Sequence, residues 1–218
     1  METIILNESK SVLSSFIIQL RDRQIQTDSM RFRRNLERIG EYFAIEISKT
    51  LNYKELDVKT PLGVATESVC SDKLVLTTIL RAGIPFHQGF LSIFDDAENG
   101  FISAYRKYNE DGDFDIHLEY VSMPELSGKV VVLCDPMLAS GSSMVLAYKA
   151  LKRLGNPKQV HLATIIASQD GIDYVENNIY DDEVTLWIGA LDDELNAKSF
   201  IVPGLGDVGD LAFGKKMG

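Results

Sequence analysis

VVVLCDPMLASGSSMVLAYKALKRLG, residues 130–155, decides the fold expected of this chain. Val130, Val131, Val132, Leu133 and Cys134 form an apolar run suited to a strand buried on both faces. Small residues follow, and from near Ser143 to Leu154 the apolar positions recur at helical spacing. A strand that passes through a short loop into a helix brings backbone N–H groups, here those of residues 139–143, to a helix N-terminus. Unpaired donors and the helix dipole favour a bound phosphate there. Asp135 stands at the carboxyl end of the strand, a usual ligand position in open α/β sheets, where a carboxylate accepts hydrogen bonds from ribose hydroxyls. Taken alone, the stretch fits equally well a tight strand-to-helix turn with an aspartate cap.

The rhythm continues outward on both sides. Residues 74–79, 160–167 and 184–188 are further short β-rich runs, and helical segments separate them. Runs apolar on both faces, joined by helical crossovers, predict an α/β fold, doubly wound around a mainly parallel sheet. Ahead of it, residues 9–20 and a longer stretch opened by Thr27 as N-cap read as packing helices, the second carrying Leu36, Ile39, Phe43, Ile47 and Leu51. Residues 52–60 read as a polar connection. Residues 100–124 break the rhythm: EDGDFD lies between two alternating runs, a pattern expected of a protruding hairpin arm with a polar tip. No repeat or linker divides the chain, so residues 1–218 are expected to be one domain: N-terminal helices over about 1–55, an α/β core over about 56–190 and a C-terminal segment over about 191–218.

Composition narrows the function classes. With 218 residues, 45% of them apolar and 25% charged, the chain can bury a substantial core. No apolar run reaches a membrane span, and METIILNESK lacks the basic-then-apolar order of a signal peptide, which predicts a cytoplasmic protein. Cys70 and Cys134 are not spaced as a metal or redox pair, and no protein metal site is expected. A net charge of -10 argues against nucleic acid as a partner, because such binding releases counterions from a basic surface. Any phosphate site must therefore be local.

Three more segments carry chemistry. ILRAGIPFHQGFL, residues 79–91, puts Arg81 at a strand end, where a guanidinium can contact phosphate oxygens in a bidentate, charge-assisted manner. SAYRKYNED puts Arg106 at the base of the arm. SFIVPGLGDVGDLAFG, residues 199–214, is a Gly-rich turn around Pro203. Each alone has a plain structural reading: two surface arginines and a C-terminal turn.

Together, and in this order, they resemble the uracil phosphoribosyltransferase family. DPMLASGSS is similar to that family's phosphoribosyl-pyrophosphate loop, whose usual form has Thr at the place of Ser140 and Gly at the place of Ser142. The residues of this loop, Asp135, Pro136, Met137, Leu138, Ala139, Ser140, Gly141, Ser142 and Ser143, are thereby implied to bind the donor. LRDRQIQTDSMRFRRNLERIGEYFA, IIASQDGI and DDELNAKSFIVPG extend the resemblance over nearly the full chain. The resemblance implies that Arg81 and Arg106 hold pyrophosphate. It also implies that Ile201, Gly206 and Val208 read uracil through main-chain groups, with Asp207 between uracil and the donor. His87 lies outside the matching pattern and is expected to be structural or at the surface. Lys107, the acidic tip of the arm, and Leu211, where the family commonly has a basic residue, depart from the pattern.

The expected reaction joins N1 of uracil to C1′ of phosphoribosyl pyrophosphate, giving UMP and pyrophosphate. Asp207, Arg106 and Asp135 are the expected catalytic residues. Asp207 either orients water or Mg²⁺ or assists loss of the N1 proton, and the residues do not decide between these roles. Mg²⁺ is implied as a cofactor bound through the donor's pyrophosphate. The family also implies a homodimer or higher homo-oligomer, and GTP as an effector of some members. Two rivals remain at this stage: a transferase for another nucleobase, and a non-enzymatic sensor of phosphoribosyl pyrophosphate or RNA-binding regulator.

Overall fold

The computed structural model describes the backbone of residues 1–108 and 114–216, and side chains over the same residues apart from 104–118. In chain order the elements are β1 (Glu2–Ile5), a 3-10 turn (Leu6–Glu8), α1 (Leu13–Arg21), α2 (Ser29–Ser48), β2 (Tyr53–Thr60), β3 (Gly63–Cys70), β4 (Leu74–Leu80), α3 (Ile84–Ile93), β5 (Glu98–Tyr108) and β6 (Phe114–Ser122). They continue with β7 (Val130–Cys134), β8 (Met137–Leu138), α4 (Ser142–Leu154), β9 (Gln159–Ser168), α5 (Gln169–Glu176), β10 (Val184–Asp192), β11 (Glu194–Leu195), β12 (Ile201–Val202) and α6 (Val208–Phe213).

The central sheet runs β1-β10-β9-β7-β4-β5-β6, and only the β5/β6 pair in that path is antiparallel. From β4 the chain moves to β5 on one side, whereas β7, β9 and β10 are laid down on the other. The strand order therefore reverses between β4 and β7, which pair through Leu74↔Val130 to Thr78↔Cys134. A crevice opens at such a reversal, beyond the carboxyl ends of the strands.

Alternation along the strands sorts side chains into two layers, as period-2 geometry requires. Val132 and Cys134 face the layer built by Leu13, Leu36, Phe43, Phe86 and Phe90 of α1, α2 and α3. Val131 and Leu133 face Met144, Leu151 and Val175 of α4 and α5. Leu36, Ile39, Phe43 and Ile47 of α2 are all fully buried. Each such side chain contributes roughly 1.5–3 kcal/mol relative to an exposed one. The fold is thus doubly wound, as residues 130–155 led one to expect.

Several local expectations need correction. The first helix begins at Leu13, after a turn in which Ser11 Oγ accepts from the Leu13 amide at 3.3 Å. The cap of α2 is Asp28, whose carboxylate accepts from Arg31 N at 3.1 Å; Thr27 instead donates its hydroxyl to Gln24 O. Residues 53–60 of the supposed connection form β2, which pairs with β3 in a separate antiparallel ribbon turning at Pro61 and Leu62. Glu2–Ile5, within the N-terminal region read as helical, is an edge strand parallel to β10. The arm is a β5/β6 hairpin with a register shift between Ser103 and Ala104; its tip, residues 109–113, lies outside the described residues.

Candidate functional site

The carboxyl ends of the parallel strands β4 and β7, which lie side by side, each carry functional candidates. Beyond β7, Asp135 N donates to Ala163 O at 3.0 Å, and Pro136 O accepts from the amides of Ile165 and Ile166, which fastens the loop to β9. Met137 and Leu138 then pair with Ile166 and Ala167. Asp135 is partly open to solvent but walled by protein, and that burial pushes its carboxyl up to about 7 against a weak 3.4 Å bond from the Met137 amide. Its neighbour Cys134 is fully enclosed, and burial raises its thiol to about 12, so it is no nucleophile.

Gly141 ends the loop with φ 76° and ψ −14°, the left-handed region, and α4 starts at Ser142, one residue ahead of the sequence estimate. A Cβ at Gly141 would also lie 2.7 Å from Gly171 O. The first helical bond is Val145 N to Gly141 O at 3.0 Å, so the amides of Ser142, Ser143 and Met144 have no intrahelical acceptor. These donors at an N-terminus of a thirteen-residue helix suit a phosphate dianion. Behind the loop, Ser168 Oγ donates to Ala139 O at 2.6 Å and holds it on the first turn of α5. Ser142 is ordinary helical residue, and its Oγ is 2.8 Å from Ser140 Oγ.

Beyond β4 the Leu80–Arg81 peptide is cis. The turn that follows packs on the end of β7: a Cβ at Gly83 would stand 3.3 Å from Cys134 O and collide with Thr78 Oγ1. Arg81 Nη2 donates to Asp210 Oδ1 at 2.9 Å and to Gly214 O at 2.7 Å, while its Nε is buried with no partner. Sequence reasoning passed over Asp210; the spacing of two aspartates in GDVGD, residues 206–210, was the available signal.

The C-terminal segment covers this crevice. Ile201 and Val208 are buried in the helical layer, and Ile201 pairs with Leu195 across the small β11/β12 ladder, so their side chains anchor the segment and only their main-chain groups are free to face a ligand. The Val202–Pro203 peptide is cis, and Gly206 is exposed at φ 93°. Asp207 is exposed and caps α6, its Oδ1 accepting from Asp210 N at 2.8 Å. Among the bonds that tie the segment to the body are Arg21 Nη1 to Gly204 O at 2.9 Å, Arg33 Nη1 to Ala212 O at 2.7 Å, and Gly204 N to Asp192 Oδ2 at 2.9 Å.

The structure therefore brings Arg81, Asp207 and Asp210 together, next to the β7 end that leads into Asp135. Arg106 sits in β5 opposite Ile116, three residues past the last pairing with β4; its side chain lies outside the described residues. His87 is buried in α3, with Nε2 2.8 Å from Asn99 Oδ1.

Known proteins share both sequence and fold with this chain. A family model for uracil phosphoribosyltransferase matches residues 8–215. A uracil phosphoribosyltransferase of Porphyromonas gingivalis is 54% identical over 217 residues, covering 100% of each chain. One of Methanothermobacter thermautotrophicus is 40% identical over 190 residues, covering 86% of each. A solved protein of Aquifex aeolicus superposes with a TM-score of 0.84 at 30% identity, covering 97% of this chain and 98% of the other. On these matches, which span the phosphate loop, the Arg81 turn and the C-terminal segment alike, the chain belongs to the uracil phosphoribosyltransferase family.

Proposed function

We propose that the chain, acting as one domain, transfers the phosphoribosyl group of phosphoribosyl pyrophosphate to N1 of uracil, releasing pyrophosphate and forming UMP. The observation that carries this reading is the junction of Arg81 with the first turn of α6, which sets a guanidinium against the C-terminal segment at the reversal of strand order. The 5′-phosphate rests on the amides at the start of α4, and Asp135 accepts from the ribose hydroxyls. Held at both ends, the sugar is aligned for in-line displacement at C1′. As the C1′–O bond to pyrophosphate breaks, positive charge grows on the ribose and negative charge on the leaving group, which Arg81 and Arg106 stabilise. The N1–C1′ bond forms on the opposite face, and the N1 proton leaves toward Asp207 or water. Uracil presents O2, O4 and N3–H, and the main-chain groups of Ile201, Gly206 and Val208 are its complement. Cytosine reverses two of those partners, leaving buried groups unpaired.

Among the described residues no group of three or more His, Cys, Asp or Glu is placed to form a metal cage. Mg²⁺ usually keeps several waters and is held through one or two carboxylates plus substrate phosphates. The exposed carboxylate of Asp207, with only Oδ1 in the cap bond, fits that kind of donor set beside a diphosphate. Bound there, the ion neutralises charge on the leaving group.

The reading is tested by following UMP formation from uracil and phosphoribosyl pyrophosphate, with cytosine and hypoxanthine as competitors. Turnover of hypoxanthine in preference to uracil would select the rival base, and no turnover with retained donor binding would select a sensor. Arg106→Ala should raise the KM for the donor while UMP affinity holds. Adding GTP to the same assay tests the effector role. The ribbon of β2 and β3, exposed along nearly its whole length with Leu62 fully open, supports a homo-oligomer, because an isolated two-stranded hairpin is marginally stable. Light scattering reads the assembly state directly. No helix among the described residues is long and apolar enough to cross a membrane, which supports a cytoplasmic location for chemistry on soluble substrates.

A further inference from the structure

The Arg81–Asp210 ion pair is about one-third exposed on both sides, and exposed pairs of this kind contribute little to stability. Its geometry is more informative. Asp210 takes Nη2, with Gly214 O as the second acceptor on the same nitrogen; Nε, on the same edge of the guanidinium, is buried without an acceptor, and Nη1, on the other side, is neither buried nor bonded among the described residues. Nε lies under the first turn of α6, so that edge is covered by protein and Nη1 is the nitrogen left open to a ligand. The guanidinium lies along the first turn of α6, where a Cβ at Gly209 would stand 3.3 Å from Asp207 Oδ1 and 3.7 Å from Arg81 Nε. The amide of Asp210 is at the same time the donor to Asp207 Oδ1. One turn of backbone thus fixes the carboxylate nearest the base and the carboxylate that grips the arginine.

Resting on the assignment of Arg81 to pyrophosphate, we propose that Asp210 is a positioning residue: it clamps the Nε–Nη2 edge of the Arg81 guanidinium to the base-reading turn, so that Nη1 is presented to the donor's diphosphate. Binding at the two halves of the site is then linked. A uracil-ordered turn holds Arg81 in place for the donor, and a diphosphate on Arg81 steadies the turn that carries Asp207. By reciprocity of coupling, each ligand raises affinity for the other by the same factor.

The test compares Asp210→Asn, Asp210→Glu and Arg81→Ala, singly and as the Arg81→Ala/Asp210→Asn pair. Measured are kcat, the KM for each substrate, UMP affinity by calorimetry and thermal stability. Asp210→Asn is expected to raise the KM for phosphoribosyl pyrophosphate on the order of 10-fold, the size of one charge-assisted contact. UMP affinity and the melting temperature stay near those of the parent, Asp210→Glu recovers most of the loss, and the double variant is no worse than Arg81→Ala. Normal donor KM in Asp210→Asn beside an impaired Arg81→Ala would overturn the positioning role and leave the assignment of Arg81 standing. Parallel loss of donor and UMP binding, or additive losses in the double variant, would reduce Asp210 to a structural part of the turn. A normal donor KM in Arg81→Ala would instead overturn the assignment of Arg81 itself, and the positioning role with it.

Discussion

Arg21 holds Asp192 through two parallel bonds of 2.7 Å, and this pair, joining α1 to the end of β10, also clamps Gly204 from both sides: Asp192 Oδ2 accepts its amide and Arg21 Nη1 donates to its carbonyl. The Asp192 side chain is only 5% exposed. Removing one member of such a pair leaves a buried charge uncompensated, a change that costs about 3 kcal/mol. Arg21→Ala should therefore lower stability by that amount in chemical denaturation and, by loosening the turn after Pro203, raise the KM for uracil more than that for the donor. An equal rise in both would mean that the whole crevice, and not the base turn, depends on the pair.

Gly141 and Ser142 differ sharply in what substitution should do. At Gly141 the left-handed backbone and the close approach of Gly171 O leave no room for a side chain. Gly141→Ala should cost about 2 kcal/mol or more and weaken donor binding, since strain and displacement of the loop act together. Ser142 occupies a helical position and bonds only to Ser140 Oγ at 2.8 Å. Ser142→Gly should change stability by less than about 1 kcal/mol, within the ordinary helix propensity range, and leave donor KM near normal. Paired melting and kinetic measurements on the two variants check this contrast.

Those two neighbours also mark what was legible in the sequence. Strand β7 was readable to the residue because both its faces are buried, and a continuous apolar run bounded by Lys129 and Asp135 has few other readings. The loop after β7 was legible for a related reason: strand end, small-residue loop and helix start fall in one stretch, residues 134–142. β2 was not, because YKELDVKT buries neither face and so carries no hydrophobic period to find. β1 was missed because a four-residue edge strand depends on pairing with β10, more than 180 residues away, and not on its own pattern. Asp28 took the cap from Thr27 because either residue type caps well and only the entry of the chain decides. The role of Asp210 is non-local in the same way: nothing near residue 210 announces Arg81.

Asp135 should make both stability and donor binding depend on pH. Burial raises its folded carboxyl to about 7 from an ordinary value of 3.8, so the folded state binds the proton more tightly than the unfolded chain does. Stability from this group is fully present below about pH 4 and is lost as pH rises through about 7. Asp135→Asn, neutral throughout, should remove that loss. Its stability relative to the parent should climb between pH 4 and 7 by on the order of 2 kcal/mol, then level off, after discounting for the solvent that reaches the group. If the ionised form accepts from ribose hydroxyls, donor binding near pH 6.5 should also release a proton. Calorimetry in two buffers of different ionisation enthalpy reads that release, and a parent and Asp135→Asn that release the same number of protons would place the titration on another group.

Asp207 has a structural duty, capping α6 with a 2.8 Å bond to Asp210 N, and the question is whether its carboxylate does more than that. Asparagine separates the two duties, because it caps helices about as well as aspartate but carries no charge and has one acceptor oxygen in place of two. Asp207→Asn should keep stability within about 0.5 kcal/mol of the parent. If the charge organises Mg²⁺ or water at the reacting centre, or takes the N1 proton, turnover should fall by at least about tenfold with the KM for uracil little changed, the signature of an interaction made chiefly in the transition state. Asp207→Ala adds loss of the cap, worth about 1 kcal/mol, and should fall as far in turnover while also melting earlier. The order of the two variants is therefore diagnostic. A capping role alone predicts a normal Asp207→Asn and an impaired Asp207→Ala, with rate tracking stability; a reacting carboxylate predicts equal losses of turnover from variants whose stabilities differ.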